Sequence, residues 1–306
     1  MMNVITVDRP SERDEVVANG PEEATPPALI LPDHPLIKIR PNQKWAPLDW
    51  RELWAHRDLF AILVIRDVTI RYKQTLLGIA WAVVQPIVMM GTYTVIFGRF
   101  GHIPSDGIPY PLFAFAALLP WTFLSNAVQA SGNSLINNSH LITKVYFPRI
   151  LIPAASVGMG LVDFGIAAIV LAGLMLYYHV GVTWKLLMFP PLLLLTATLC
   201  LGLGVWAAAL NVRYRDVRHV LPFFLQVWMF LSPIIYPLSL LPPRWQRVAA
   251  LNPLYGIIEN IRVSLFNLGR GFDWYLLGCS AAISLAILVS ASFVFRRVET
   301  SMADVI

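Results

Sequence analysis

The chain has 306 residues, 57% of them hydrophobic and only 13% charged, with 23 Lys and Arg against 18 Asp and Glu for a net charge of +5. An ordinary soluble domain carries about 25% charged residues, so a water-facing surface wrapped around one core is excluded. The apolar residues gather into stretches near the ~20 residues that carry a helix across about 30 Å of hydrocarbon, and the modest basic excess flanking them fits membrane topology, with no role for nucleic acid.

From Met1 to Lys44 the sequence is polar and proline-rich, with Asp8, Glu12, Asp14, Glu15, Glu22 and Glu23 near its start. It has neither the basic beginning nor the apolar core of a signal peptide, and residues 1–44 are expected to form a disordered cytoplasmic tail. Residues 45–75 interleave Trp50, Leu53, Trp54, Leu59, Phe60, Ile62 and Leu63 with Arg51, Glu52, His56, Arg57, Asp58, Arg66 and Asp67, the pattern of an amphipathic helix lying in the membrane interface. Six transmembrane helices are predicted next: Leu76 to Gly98, Pro111 to Ser131, Ile150 to Tyr177, Leu186 to Leu210, Val220 to Leu241, and Trp274 to Phe295. Between the last two, Pro242 to Phe272 is apolar at Leu251, Leu254, Ile257, Ile258 and Ile261 but broken by Asn252, Pro253, Glu259, Asn260 and Arg262. Such a segment is too polar to cross and predicts re-entrant or interfacial helices held against the bundle. Residues 76–295 are thus expected to be an all-α integral membrane domain, with a cytoplasmic C-terminus at 296–306.

Lys and Arg near span ends are retained on the cytoplasmic side. With the N-terminus inside, that side holds Arg51, Arg57, Arg66, Arg71, Lys73, Lys144, Arg149, Arg213, Arg215, Arg218, Arg296 and Arg297. The other side holds Arg99, Lys185, Arg244, Arg247, Arg262 and Arg270. The imbalance predicts a multi-pass protein with both termini cytoplasmic. No internal repeat is evident, so the usual sequence pointer to an inverted-repeat secondary transporter is missing.

The chain contains no GxxxxGK[ST] loop and no Gly-Lys dipeptide, so it cannot cradle nucleotide phosphates in the P-loop manner, and any ATP and Mg belong to another chain. HExxH and Gly-x-Ser-x-Gly signatures are absent too, and no metal site or catalytic group is indicated. Cys200 and Cys279 lie far apart in apolar runs and read as small buried residues. Asp163 stands near the middle of the third predicted span, where an ionised carboxylate is costly unless paired; an internal hydrogen bond that fixes helix packing is expected, with a direct role in transport as the sharper alternative. Aromatic residues recur along spans one, two and five. They serve as lipid-facing belts or, at Trp81, Tyr93, Phe97, Trp228, Phe230 and Tyr236, as walls of a conduit whose flat apolar faces and polar edges suit sugar rings. Between spans two and three, Leu135, Ile136, Leu141, Ile142, Val145 and Tyr146 sit among Asn133, Asn137, Asn138, Ser139, His140 and Lys144, a short amphipathic helix that either lies on lipid or enters a groove of another protein.

Several segments in order resemble one family, the permeases of ABC-2 type polysaccharide exporters. They are Arg66-Asp67-Val68-Thr69-Ile70-Arg71-Tyr72-Lys73 continuing through Gly78, Trp81 and Gln85-Pro86; Lys144-Val145-Tyr146-Phe147-Pro148-Arg149; Asn211-Val212-Arg213-Tyr214-Arg215-Asp216; and Ser232-Pro233-Ile234-Ile235-Tyr236-Pro237 with Leu251-Asn252-Pro253-Leu254. The likeness runs from about Trp45 to Phe295; the tail before it is a departure from the shorter members. The resemblance implies a homodimer of six-span permeases bound to two separate nucleotide-binding subunits. It further implies a coupling helix around Leu135, Ile136, Leu141, Ile142, Lys144, Tyr146 and Arg149, an interfacial helix beside the site where a lipid-linked polysaccharide is loaded, and an external gate at Pro242 to Phe272. Alternatives are an ABC-2 permease for a small amphiphile or drug, and a membrane enzyme acting on lipid-linked sugars. The latter needs clustered acidic or His residues at one membrane face, and Asp216, Glu259 and Asp273 do not provide them.

Overall fold

A computed structural model of the chain describes residues 54–299 apart from 74–77, 79, 145–146 and 267. The expected tail at 1–44, the C-terminus beyond Glu299 and Tyr146 lie outside the described residues. Every regular element among the described residues is helical. Helix α1 spans Arg57–Lys73, with Asp58 in its first turn and Arg71 and Lys73 in its last, charges that suit the helix dipole at each end. Helix α2 spans Ala80–Tyr93 and continues as a π-helix over Thr94–Phe100. Then follow α3 (Tyr110–Asn137), α4 (Ser139–Lys144), α5 (Leu151–Tyr177), a 3-10 turn at Trp184–Met188, α6 (Phe189–Arg213), α7 (Val217–Phe230), α8 (Pro243–Ala249), α9 (Pro253–Leu265) and α10 (Trp274–Glu299).

Five of these stretches are long and apolar enough to cross a membrane: Ala80–Phe100, Tyr110–Asn137, Leu151–Tyr177, Trp184–Arg213 and Trp274–Glu299. The fifth predicted span departs from expectation. Instead of running to Leu241, its helix stops at Phe230 after 14 residues, about 21 Å at a rise of 1.5 Å per residue. Ser232, Pro233, Ile234 and Ile235 continue it as a turn that is nevertheless buried. Pro233 carries no N–H and disfavours helix for the residue before it, which accounts for the early end.

The helix ends sort into two groups. Leu63 of α1, Leu135 at the end of α3, Ile142, Phe147, Leu151, Val212 at the end of α6 and Phe295 of α10 share one buried cluster. At the same end Arg149 Nη1 donates to Glu299 O at 3.0 Å, and Asn211 Nδ2 donates to Gly132 O at 2.8 Å. At the other end Ser239 Oγ donates to Asp106 Oδ1 at 2.9 Å, Arg270 Nη2 donates to Asp106 Oδ2 at 3.1 Å, and Lys185 Nζ donates to Arg270 O at 2.8 Å. The chain therefore changes ends through α7 and its turn, as it does through α2, α3, α5, α6 and α10. The fifth passage is a short helix plus buried turn rather than a continuous span.

Helix α3 is the centre of the bundle, buried along most of its length between α5 and α6; α2 and α10 are the least buried of the five long helices. Helix α1 is docked on α5, with Val64 and Phe60 against Gly158. Helix α9 lies on α10 through Gly256, where an added Cβ would fall on the Leu276 carbonyl and Ser280 Oγ. Small residues allow such contact between backbones. Replacing Gly256 by Ala is expected to cost about 1–3 kcal/mol, because backbone on α10 cannot yield, whereas Gly173→Ala, with open space around it, should stay within about 0.5 kcal/mol of the parent. Denaturant titration of the detergent-solubilised chain, read by intrinsic fluorescence, checks the difference.

Candidate functional site

The buried turn after α7 exposes backbone carbonyls in an interior where each unpaired group costs about 1–3 kcal/mol. Three are met by side chains from elsewhere in the fold, Ile234 O and Ile235 O in buried bonds and Leu231 O, at the exposed end of α7, in a more accessible one. Asn252 Nδ2 donates to Leu231 O at 3.3 Å and to Ser232 Oγ at 3.0 Å. Arg262 Nη2 donates to Ile234 O at 3.1 Å, and Tyr110 Oη donates to Ile235 O at 2.9 Å. Asn252 also opens α9, accepting from Leu254 N at 3.1 Å, an N-cap role that Asn fills well. Helix α9 begins where it must to carry Arg262 into the turn.

Arg262 is fully buried, 0% exposed, with its guanidinium 3.6 Å from the Phe113 ring centroid. A charge so placed needs compensation. Glu259, one helical turn earlier and also buried, lies 3.8 Å from Arg262 and 2.5 Å from Arg270 as ion pairs, and its oxygens accept no hydrogen bond of good geometry among the described residues. Arg270 in turn holds Asp106 at 3.1 Å. Asp106 and Gly107 both have positive φ, 52° and 81°, a conformation that Asp tolerates better than most residues and Gly adopts freely. Two carboxylates and two guanidiniums thus form a closed set that ties α9 to the loops following α2 and preceding α10. Sequence reasoning takes Glu259 and Arg262 as interruptions of an apolar segment, counts Arg262 toward topology and sets Glu259 aside as a catalytic acid, without pairing them; their i, i+3 spacing is the available signal.

Around this set lies an aromatic seam. Tyr93 Oη donates to Met229 Sδ at 3.3 Å, and its ring meets Phe97 edge-on at 5.6 Å. Trp228 packs edge-on against Trp121 at 6.3 Å and donates its Nε1–H to Asn252 Oδ1 at 3.0 Å. The hydroxyls of Tyr236 and Tyr255 bond at 2.8 Å. Four of the six expected conduit residues, Tyr93, Phe97, Trp228 and Tyr236, are therefore brought together inside the chain. The other two are not: Trp81 stands at the opposite end of α2, 53% exposed, and Phe230 is 54% exposed.

At the basic end the expected coupling residues divide by burial. Leu135 and Ile142 are interior, 0% and 7% exposed, and Leu141 packs against the same cluster. Ile136 and Lys144 face outward, and Arg213, Tyr214, Arg215 and Arg218 are exposed as well. Arg149 spends one N–H on the C-terminal carbonyl of α10. Asp163 has the internal partners expected of it, though from α1 instead of another span: Arg71 Nη1 lies 2.8 Å from its Oδ2, and Tyr72 Oη donates to its Oδ1. Burial, and then the bond to Asp163, push the Tyr72 hydroxyl well above its ordinary range, so it remains a donor. Among the described residues no cluster of His, Cys, Asp or Glu could hold a metal ion, and Cys200 and Cys279 are unpaired.

Lipid-length helices, buried ion pairs and a re-entrant α9 define a multi-pass helical membrane protein. More particularly, residues 58–266 match the ABC-2 type transporter family, so the chain belongs to that family. It is 31% identical over 257 residues to the O-antigen export system permease protein RfbA of Myxococcus xanthus, an alignment covering 83% of this chain and 97% of that one. It is 24% identical over 250 residues to RfbA of Klebsiella pneumoniae, covering 81% and 95%. It is 24% identical over 243 residues to the polysialic acid transport protein KpsM of Escherichia coli, covering 78% and 93%.

Substitutions around the turn should rank by what they leave unpaired. Arg262→Met strands Ile234 O and removes half of Glu259's compensation, an expected loss of about 3–5 kcal/mol. Tyr110→Phe deletes one hydroxyl and should cost about 1–3 kcal/mol. Unfolding midpoints of the two variants in detergent give the order.

Proposed function

We propose that this chain is the permease of an ABC exporter that moves lipid-linked cell-surface polysaccharide across the cytoplasmic membrane, working as a homodimer with two separate ATP-hydrolysing subunits. The observation that carries the reading is the near full-length similarity to an O-antigen export permease, 97% of that relative being covered. The narrower alternative, export of a small amphiphile or drug, has less behind it. The inner membrane transport permease YadH of Escherichia coli, whose name carries no substrate, matches only 58% of the chain at 26% identity.

The physical parts agree with that role. A long hydrophilic polymer cannot cross hydrocarbon without a protein-lined path, and lacking a P-loop the chain must receive its work from another subunit. The end bearing Lys144, Arg149, Arg213, Arg215, Arg218, Arg296 and Arg297 faces the cytoplasm in this reading, by the retention of basic loops, and both termini lie there. On it, Ile136 and Lys144 are the outward residues of the α3–α4 corner and form the contact with the ATPase, while Leu135 and Ile142 transmit the push inward through the core they occupy. The opposite end, where the aromatic seam and the Glu259–Arg262 set close the bundle, is the external gate. ATP shifts the permease between closed and open forms through differential affinity.

Three outcomes test this. The purified chain alone should show no ATP hydrolysis above an inactive-protein control. Deleting its gene should abolish surface polysaccharide while the lipid-linked polymer accumulates inside, whereas undiminished surface polymer would refute the role. Ile136→Ser combined with Lys144→Glu should weaken ATPase-subunit binding about five- to thirtyfold, equivalent to 1–2 kcal/mol, with the unfolding midpoint unchanged; Ile142→Ser should instead lower that midpoint.

A further inference from the structure

A cavity of about 230 Å³ opens between α1, α2, α3 and α5, remote from the aromatic seam. Its wall includes Arg71 and Tyr72 of α1, Trp81 and Gln85 of α2, Asn126 of α3 and Asp163 of α5. Its size lies below the about 300–1,000 Å³ of sites for drug-sized ligands, so it takes one ring rather than a length of polymer. Its chemistry is mixed in a particular way. Trp81, 53% exposed, offers a free indole face, and aromatic faces favour apolar C–H surfaces. The amides of Gln85 and Asn126 have no hydrogen-bond partner among the described residues, and each supplies both donors and an acceptor. Arg71 and Asp163 are already paired at 2.8 Å, so the cationic and anionic groups cancel.

That cancellation selects the ligand class. A phosphate or other anion would meet the Asp163 carboxylate as soon as it met Arg71, and would have to break the pair to bind. An uncharged polyol faces no such conflict: adjacent hydroxyls can donate to the carboxylate and accept from the guanidinium and the two amides, while the C–H face of the ring lies on Trp81. We infer that this cavity is a binding site for a single neutral saccharide ring, one unit of the polymer held beside the docked α1 helix before it moves along the path. The inference rests on the polysaccharide reading above. Asp163 and Trp81, two residues that the sequence marked for separate reasons, then serve one site.

The test uses the purified full-length chain in lipid nanodiscs, with saturation-transfer difference NMR on the methyl glycosides of glucose, galactose, mannose and N-acetylglucosamine, and phosphorus NMR on inorganic phosphate. At least one glycoside should show transfer to its ring C–H protons. Trp81→Ala and Asn126→Leu should each reduce that signal about fivefold or more without moving the unfolding midpoint. Silence of every glycoside in the parent protein overturns the assignment, as does a signal that survives both substitutions. Phosphate binding that both variants abolish, with the glycosides silent, makes the cavity an anion site and overturns it equally. Surface polysaccharide, measured in cells carrying each variant, keeps the two readings apart: a parent chain that exports polymer while failing the glycoside test loses the site alone, whereas one that exports nothing loses the exporter reading.

Discussion

Three carbonyls decide how this fold is put together. The fifth passage breaks at Ser232 and Pro233, and Leu231 O, Ile234 O and Ile235 O leave the helical ladder, the last two in the buried interior of the bundle. Asn252, Arg262 and Tyr110 answer them one by one. Irregular backbone at membrane depth is tolerated only where protein or a wet cavity satisfies it. The position of α9 follows: Asn252, the residue just before it, caps it and reaches the turn, and Arg262, near its C-terminal end, lies over Phe113 and reaches Ile234. Once Arg262 is buried, Glu259 is required beside it, and Arg270 and Asp106 complete a neutral set.

The two ends of the bundle consequently differ in kind. One is closed by a hydrogen-bonded, charge-neutral plug drawn from four separate segments. The other is an apolar cluster capped by outward basic side chains, with α1 bound to α5 through close packing at Gly158 and through the Arg71–Asp163 pair. A plug built from directional bonds has discrete arrangements and can open by exchanging partners, which an interdigitated apolar core does less readily. Helix α3 contributes buried residues to both regions, so in the proposed exporter it is the element through which a push at the basic end would pass.

Much of this was legible in the sequence. Of the six spans expected from apolar run length, five are lipid-length helices; the helical stretch at Pro242 to Phe272 follows from its polar interruptions, and the ordered motifs around Arg66, Tyr146 and Ser232 pointed to the family. The early end of α7 was carried by Pro233 but hidden by the continuous apolarity of Val220 to Leu241. Asp163 lacked a partner in any span because its partners stand on α1, outside the segments where membrane carboxylates are usually paired. The alliance of Asp106 and Arg270 with Glu259 has no local signature at all, since it is made only when distant loops meet. Burial of Leu135 and Ile142 was likewise invisible: the composition of a six-residue helix does not say which side faces in.

The central claim, that this chain and a separate ATPase move polysaccharide through the membrane, is tested most directly in proteoliposomes holding both subunits with the basic end outward. Lipid-linked polymer supplied outside should become resistant to an added glycosidase when ATP is present, and stay sensitive without ATP or without the ATPase. Polymer that stays fully sensitive with both subunits and ATP, or that gains resistance in the absence of ATP, would contradict the account.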